Sequence, residues 1–230
     1  MKKSVVIAVD GPAASGKGTL AKSLARHFGF AHLDSGALYR LTALGISRAG
    51  GDPVREADAI AAAGAIAAAG AIDPTQMDDP ALRSMEVAQA ASVVAAYPSV
   101  RDILLNFQRS FAMEPPNGAS GAVIDGRDIG TVICPQADAK LFVDARPEQR
   151  ARRRWLELNA SGSSTREAEI LADIRERDAR DRARKVAPLV PAPDAALLDT
   201  SDLDIDAAFA AALDLVNTRV EEALRARQRV

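Results

Sequence analysis

A single cysteine, Cys134, and two isolated histidines, His27 and His32, stand in a chain of 230 residues. One thiol excludes an internal disulfide and points to a reducing compartment, and two histidines without metal-ligand spacing give no zinc-type centre. Aromatic residues make up only 4%, so the interleaved stacking residues of a single-strand nucleic-acid groove are missing. The formal net charge is only −2, which argues against a general affinity for DNA or acidic membranes. Long apolar runs are missing too. Lys2 and Lys3 precede an apolar stretch, but Asp10 and Gly11 interrupt it too early for a signal peptide, and no later stretch reads as a membrane span. These absences lead to the expectation of a cytoplasmic monomer acting on small molecules, without a nucleic-acid or membrane partner.

What is present is the composition of a globular protein, 48% hydrophobic and 26% charged, enough for one substantial core. Five short apolar runs each end in aspartate: Val9-Asp10, Leu33-Asp34, Ile124-Asp125, Val143-Asp144 and Leu198-Asp199. Helical patterns separate them. Continuous apolar strands alternating with helices predict a five-stranded parallel sheet covered on both faces, with ligands beyond the carboxyl ends of its strands. Asp144 and Asp199 are expected to cap helices, His27 to complement a helix dipole, and Cys134 to be a buried, inert thiol.

The first strand, Ser4 to Val9, runs into Asp10-Gly11-Pro12-Ala13-Ala14-Ser15-Gly16-Lys17-Gly18-Thr19. Leu20, Leu24 and Phe28 then recur at helical spacing until Gly29 stops the helix. Glycines at both ends of such a loop let backbone N–H groups turn inward. Lys17 adds a point charge, and the helix N-terminus directs its positive end to the same anion. The loop from Gly11 to Thr19 is therefore a candidate phosphate cradle. Gly18 stands where Ser or Thr often holds magnesium, with Thr19 following it.

Between Arg40 and Gly121 no comparable strand is read. Two helical stretches joined by Asp73-Pro74 through Asp79-Pro80 predict an inserted helical subdomain, which includes the repeated hexapeptide AIAAAG from Ala59 to Gly70. A second insertion, from Arg146 to Arg184, holds Ser161-Gly162-Ser163-Ser164 between two charged helices, the composition of a hinged lid. Pro188 to Pro193 cannot be helical and leads to a last strand, Ala195 to Leu198. A closing helix is read over Asp206 to Val220, and its arginine-rich tail is expected to be solvated or frayed. The limits expected for a single domain are a core of about 1–39, 87–145 and 186–230, an insertion at about 40–86 and a lid at about 146–185.

Arginines outnumber histidines at the ends of these motifs, the imbalance that phosphoryl transfer favours, because an acceptor phosphate is already a nucleophile and needs clamps rather than a base. Arg40 follows Asp34-Ser35-Gly36-Ala37-Leu38-Tyr39. Arg127 follows Asp125-Gly126, where Asp125 suits magnesium-bound water, and Asp128 comes next. Arg177, Arg180, Asp181 and Arg184 share one face of a helix, so three guanidiniums and one carboxylate are expected together. One or two of Arg150, Arg152, Arg153 and Arg154 are expected to reach a nucleotide. Residue chemistry alone leaves open a kinase of another small acceptor, such as another nucleoside monophosphate or shikimate, and a nucleotide-binding regulatory module without turnover.

Taken in order, the phosphate loop, DSGALYR, EVAQAAS, DGRDIGT and RERDARDRARKVAPLVP resemble the bacterial cytidylate kinase family over most of the chain. The resemblance implies a P-loop NTPase-type α/β fold with a helical insertion for a nucleoside monophosphate and a lid. It implies a phosphotransferase with a phosphate group as acceptor, moving the γ-phosphoryl group of ATP to CMP or dCMP with Mg2+. It assigns Gly11 through Thr19 to ATP, and Lys17, Arg127, Arg177 and Arg184 to catalysis. Asp34, Ser35, Tyr39, Arg40, Ser92, Arg101, Arg127, Asp128, Arg177, Asp181 and Arg184 would bind substrate, with Ser92, Arg101 and Asp128 facing cytosine, while Thr19 and Asp125 serve the metal. One departure is a segment, 71–85, that is shorter than in relatives and lacks their small antiparallel sheet.

Overall fold

Strand β1 (Val5–Asp10) is buried along its whole length, as its unbroken apolar run requires of a strand covered on both faces. The computed structural model describes residues 4–69, 76, 79–160 and 162–228. Gly70, residues 71–75, 77 and 78 of the shortened segment, which include the Asp73-Pro74 joint, and Ser161 lie outside them. Five parallel strands form one sheet in the order β2 (Ala31–Asp34), β3 (Gly121–Gly126), β1, β4 (Ala139–Asp144), β5 (Ala196–Asp199). In register, Val9 stands beside Asp125 on one side and Leu141 on the other. The fold is the expected P-loop NTPase-type α/β sheet with helices on its faces. Each of the five aspartates lies at or next to the carboxyl end of its strand.

The chain divides into two compact units, one built from residues up to Leu33 together with Ala112 onward, the other from Asp34–Phe111. In the sheet unit, helix α1 (Lys17–Phe28) and helix α8 (Ile205–Gln228) cover β1 with Leu20, Leu24, Val216 and Val220 against Val5, Ile7, Leu141 and Val143. Gly29 ends α1 in the left-handed region, φ 67°, and its N–H caps the last carbonyls. His27 sits in that last turn with its ring edge-on to Phe28. Helices α6 (Pro147–Ala160) and α7 (Glu167–Arg182) pack as a hairpin around left-handed Gly162.

The helical unit holds α2 (Ser35–Arg48), α3 (Glu56–Ala69), α4 (Met85–Val94) and most of α5 (Pro98–Met113). It extends beyond the expected limits of 40–86, because Val87, Ala91, Val94, Val100 and Leu104 share a core with Leu38, Leu44 and Ile46. Part of the AIAAAG repeat lies in α3, where Ala59 and Ala63 are buried.

Three local expectations are corrected. The C-terminal tail is helical to Gln228, and Arg227 is not frayed: it donates to Asp138 at 2.9 Å, while that carboxylate also accepts from the Val6 N–H. Asp144 and Asp199 close turns rather than cap helices, accepting from the N–H groups of Ala145 and Ser201. Cys134 is only half-buried, since the apolar residues around it belong to a turn rather than a strand.

Candidate functional site

The loop after β1 has the geometry its glycines suggest. Gly11 has φ +152°, and a Cβ there would stand 2.0 Å from the Val143 carbonyl oxygen, so only glycine lets the loop leave β1 so close to β4. Gly16, φ 87°, is the N-cap of α1 and supplies no side chain to its first N–H groups. An anion placed at this end would meet those donors and the positive end of the helix, which is the fit that nucleotide phosphates require. Lys17 Nζ donates to the Pro12 carbonyl at 3.2 Å, across the mouth of the loop. Ala14 adopts a left-handed φ of 58°, a conformation costing about 1–2 kcal/mol for a residue with a Cβ.

Behind the loop stand residues that sequence reading did not single out. Thr200, at the end of β5 and 2% exposed, donates to the Ser15 carbonyl at 3.0 Å. Arg150, 1% exposed, donates to the carbonyls of Ala13 and Ala145 at 3.1 and 2.8 Å and grips Asp178 of α7 with both terminal nitrogens. Its neighbours have partners of their own: Arg152 lies over the Trp155 ring and pairs with Glu167, Arg153 donates to Thr200, and Arg154 pairs with Glu157.

At the end of β3, Asp125 is 3% exposed. Its Oδ1 accepts from Nε2 of His32 at 2.8 Å, while Oδ2 lies 3.7 Å from where a Cβ on Gly18 would stand. Asp125 is thus oriented toward the first turn of α1, where exposed Thr19 sits. Among the described residues no cluster of three or more His, Cys, Asp or Glu is placed to hold a metal. A magnesium ion here fits the mode in which nucleotide phosphates and water supply most ligands and the protein one or two oxygens. No spacing rule signals the His32 contact.

Asp10, the last residue of β1, accepts from the N–H groups of Ile129 and Gly130, both at 2.8 Å. It thereby fixes the turn Ile129–Ile133 that follows Arg127 and Asp128. Burial is the chief cause that pushes its carboxyl up to about 7, reinforced by the nearby Asp128 charge and opposed by the two N–H bonds and by Lys17. Its place directly before the first loop glycine was the available sequence signal.

On α7, Asp181 is the hub. Nε of Arg127 donates to it at 3.0 Å, Arg184 donates to its other oxygen, and the Arg177 charge acts on it as well. Burial pushes this carboxyl up, but the three arginines outweigh burial and hold it below the ordinary range. The third cation of the cluster is therefore Arg127, not Arg180. Arg180 pairs with Glu176 one turn away on the same helix, because helical spacing alone does not say which neighbour a long side chain meets.

In the helical unit, Asp34 caps α2 by accepting from the Ala37 N–H at 3.1 Å and pairs with Arg40 at 2.6 Å. Ser35 is 4% exposed and Tyr39 8%. The Arg101 guanidinium lies 5.7 Å from the Tyr39 ring centroid and donates to the Ala95 carbonyl. Ser92 is fully buried on α4, and its hydroxyl meets no partner among the described residues.

A phosphate loop closing the central strand of a parallel sheet, with a carboxylate at the neighbouring strand end, defines a P-loop α/β protein. The family model for cytidylate kinase matches residues 7–218, and the chain belongs to that family. Cytidylate kinase of Bradyrhizobium diazoefficiens is 53% identical over 222 residues, covering 96% of this chain and 98% of that relative. Cytidylate kinase of Rhodopseudomonas palustris strain HaA2 is 55% identical, covering 98% and 99%. A solved structure, an uncharacterized protein from Eubacterium ventriosum ATCC 27560, shares the fold with TM-score 0.53 over 93% of this chain and 99% of that one at 15% identity.

Proposed function

We propose that this chain transfers the γ-phosphoryl group of ATP to CMP or dCMP, giving CDP or dCDP in pyrimidine nucleotide metabolism, as a cytoplasmic monomer. The observation that carries this reading is the coexistence of a phosphate loop with a second concentration of positive charge, Arg127, Arg177 and Arg184 around buried Asp181. A nucleotide sensor has no use for the second set.

Backbone N–H groups from Gly11 to Thr19 would hold the ATP phosphates, and Lys17 would follow the charge that develops between β- and γ-phosphoryl groups. Magnesium would neutralise the phosphate oxygens, served by Thr19 and by Asp125 through water. Arg127, Arg177 and Arg184 would clamp the phosphates, with Asp181 setting their positions. We assign Ser35, Tyr39 and Arg40 to the acceptor's sugar and phosphate, and Asp34 to orienting Arg40. A carboxylate suits the N4 amino group of cytosine and a donor suits its N3, which supports Asp128, Ser92 and Arg101 as base readers. Residues 146–185 would close over ATP as a lid.

The test is magnesium-dependent ADP formation with CMP, dCMP, UMP, AMP and shikimate offered separately. Turnover with CMP and dCMP alone is expected. Preference for another acceptor would overturn the base-reading assignment, and ATP binding without turnover on any acceptor would favour a regulatory module.

A further inference from the structure

The phosphate loop contains two left-handed residues, Ala14 at φ 58° and Gly16 at φ 87°. The peptide group before each is pinned from behind: the Ala13 carbonyl by Arg150 at 3.1 Å, the Ser15 carbonyl by Thr200 at 3.0 Å. In a planar trans peptide the C=O and the following N–H point in opposite directions. A carbonyl fixed outward therefore fixes the N–H of Ala14 or Gly16 in the opposite direction.

We propose that Arg150 and Thr200 are positioning residues for ATP, holding two loop peptides so that the Ala14 and Gly16 N–H groups are presented to the phosphates. The proposal rests on the reading that this loop binds ATP. Neither side chain needs to touch the nucleotide. Arg150 gives its donors to Ala145, Ala13 and both oxygens of Asp178. The Thr200 hydroxyl oxygen accepts from Arg153 at 3.0 Å, which leaves its single proton for the Ser15 carbonyl at 3.0 Å and the Asp144 carbonyl at 3.2 Å. The arginines of α6 thus act on ATP recognition through the backbone of the loop. Arg150 also ties the loop to Asp178, one turn of α7 before Asp181.

The experiment is calorimetric titration of ATP into the wild type, Thr200→Val, Thr200→Ser and Arg150→Lys without an acceptor, beside the KM for CMP of each. Valine matches threonine in shape and removes only the hydroxyl. Its loss should raise the Kd for ATP about 3- to 10-fold, the worth of one hydrogen bond. KM for CMP should stay within about 2-fold, and serine should restore wild-type affinity. Unchanged ATP affinity in Thr200→Val overturns the proposal. So does a serine variant as weak as the valine one, or an equal loss for ATP and CMP, since either would mean packing rather than peptide orientation. If Thr200→Val does not fold, Arg150→Lys decides. A single ammonium nitrogen cannot reproduce the four bonds that three guanidinium nitrogens direct to Ala145, Ala13 and Asp178, so ATP should weaken at least about 10-fold, whereas wild-type affinity overturns the proposal. Because no acceptor is present in the titration, a wild type that binds ATP but fails to phosphorylate CMP overturns the proposed acceptor and leaves the ATP titrations of the four proteins, with the serine rescue, to decide this proposal.

Discussion

Nε of Arg127 donates to Oδ2 of Asp181 over 3.0 Å, joining the turn after β3 to the arginine-bearing face of α7. Asp181 is 1% exposed, so its charge is tolerable only because Arg127, Arg184 and Arg177 surround it. A carboxylate in this position offsets the repulsion of three like charges before any phosphate arrives.

Asp181→Asn should therefore destabilise the fold by about 3 kcal/mol at pH 7, as removal of one buried partner does. The native state holds the Asp181 carboxyl below the ordinary 3.8. Its contribution is then present above that value and lost as pH falls through the native one. Denaturant midpoints of wild type and variant should converge as pH drops below 4, and a gap that widens there would refute the pairing.

Asp10 has the opposite sign. Burial raises its carboxyl to about 7, so the native state holds a proton that the unfolded chain releases, and this contribution fades as pH climbs from about 4 to 7. Asp10→Asn should be less sensitive to pH than the wild type over that window when unfolding is followed by circular dichroism. Equal slopes would mean that the Ile129 and Gly130 N–H groups keep Asp10 ionised throughout.

Gly11→Ala should be far more damaging than an ordinary loop substitution. The new Cβ would fall 2.0 Å from a backbone oxygen of β4, which cannot rotate away. A loss of roughly 3 kcal/mol or more is expected, from strain and steric displacement together, along with loss of ATP binding. Calorimetry measures both.

Lys17→Ala should keep its melting temperature and lower kcat by about 100-fold or more, as removal of one stabilising cation at a developing charge does. A variant turning over near the wild-type rate would show that the transferred group does not sit at this loop.

Arg101→Met and Asp128→Ala should each raise KM for CMP with little change in ATP affinity, measured by steady-state kinetics and ATP titration side by side. An equal loss for both nucleotides would remove these residues from base recognition.

The phosphate loop was legible because its chemistry is local: glycine positions, a lysine and the following helix occupy consecutive residues. The sheet was legible for a similar reason, since buried parallel strands carry unbroken apolar runs. Helical spacing rightly put Arg177 and Asp181 on one helix, but Arg184 lies beyond the end of α7 and reaches Asp181 from there, while Arg180, also expected in the cluster, pairs with Glu176. The same limit hid Arg150 inside a run of similar arginines, where nothing in the sequence separates a buried guanidinium from those of Arg152 and Arg154.

The sequence by itself determined the succession of strands and helices along the chain, the phosphate loop and the inventory of arginines, because each depends on neighbours within a turn or a strand. Tertiary structure alone decided which charges meet: His32 with Asp125, Asp10 with the turn after Asp128, Arg127 with Asp181, Arg150 with Asp178 and Ala13. These partners stand far apart in the chain. They come together only when the sheet fixes its register and α6 and α7 dock beside it, and one-dimensional periodicity carries no record of that geometry.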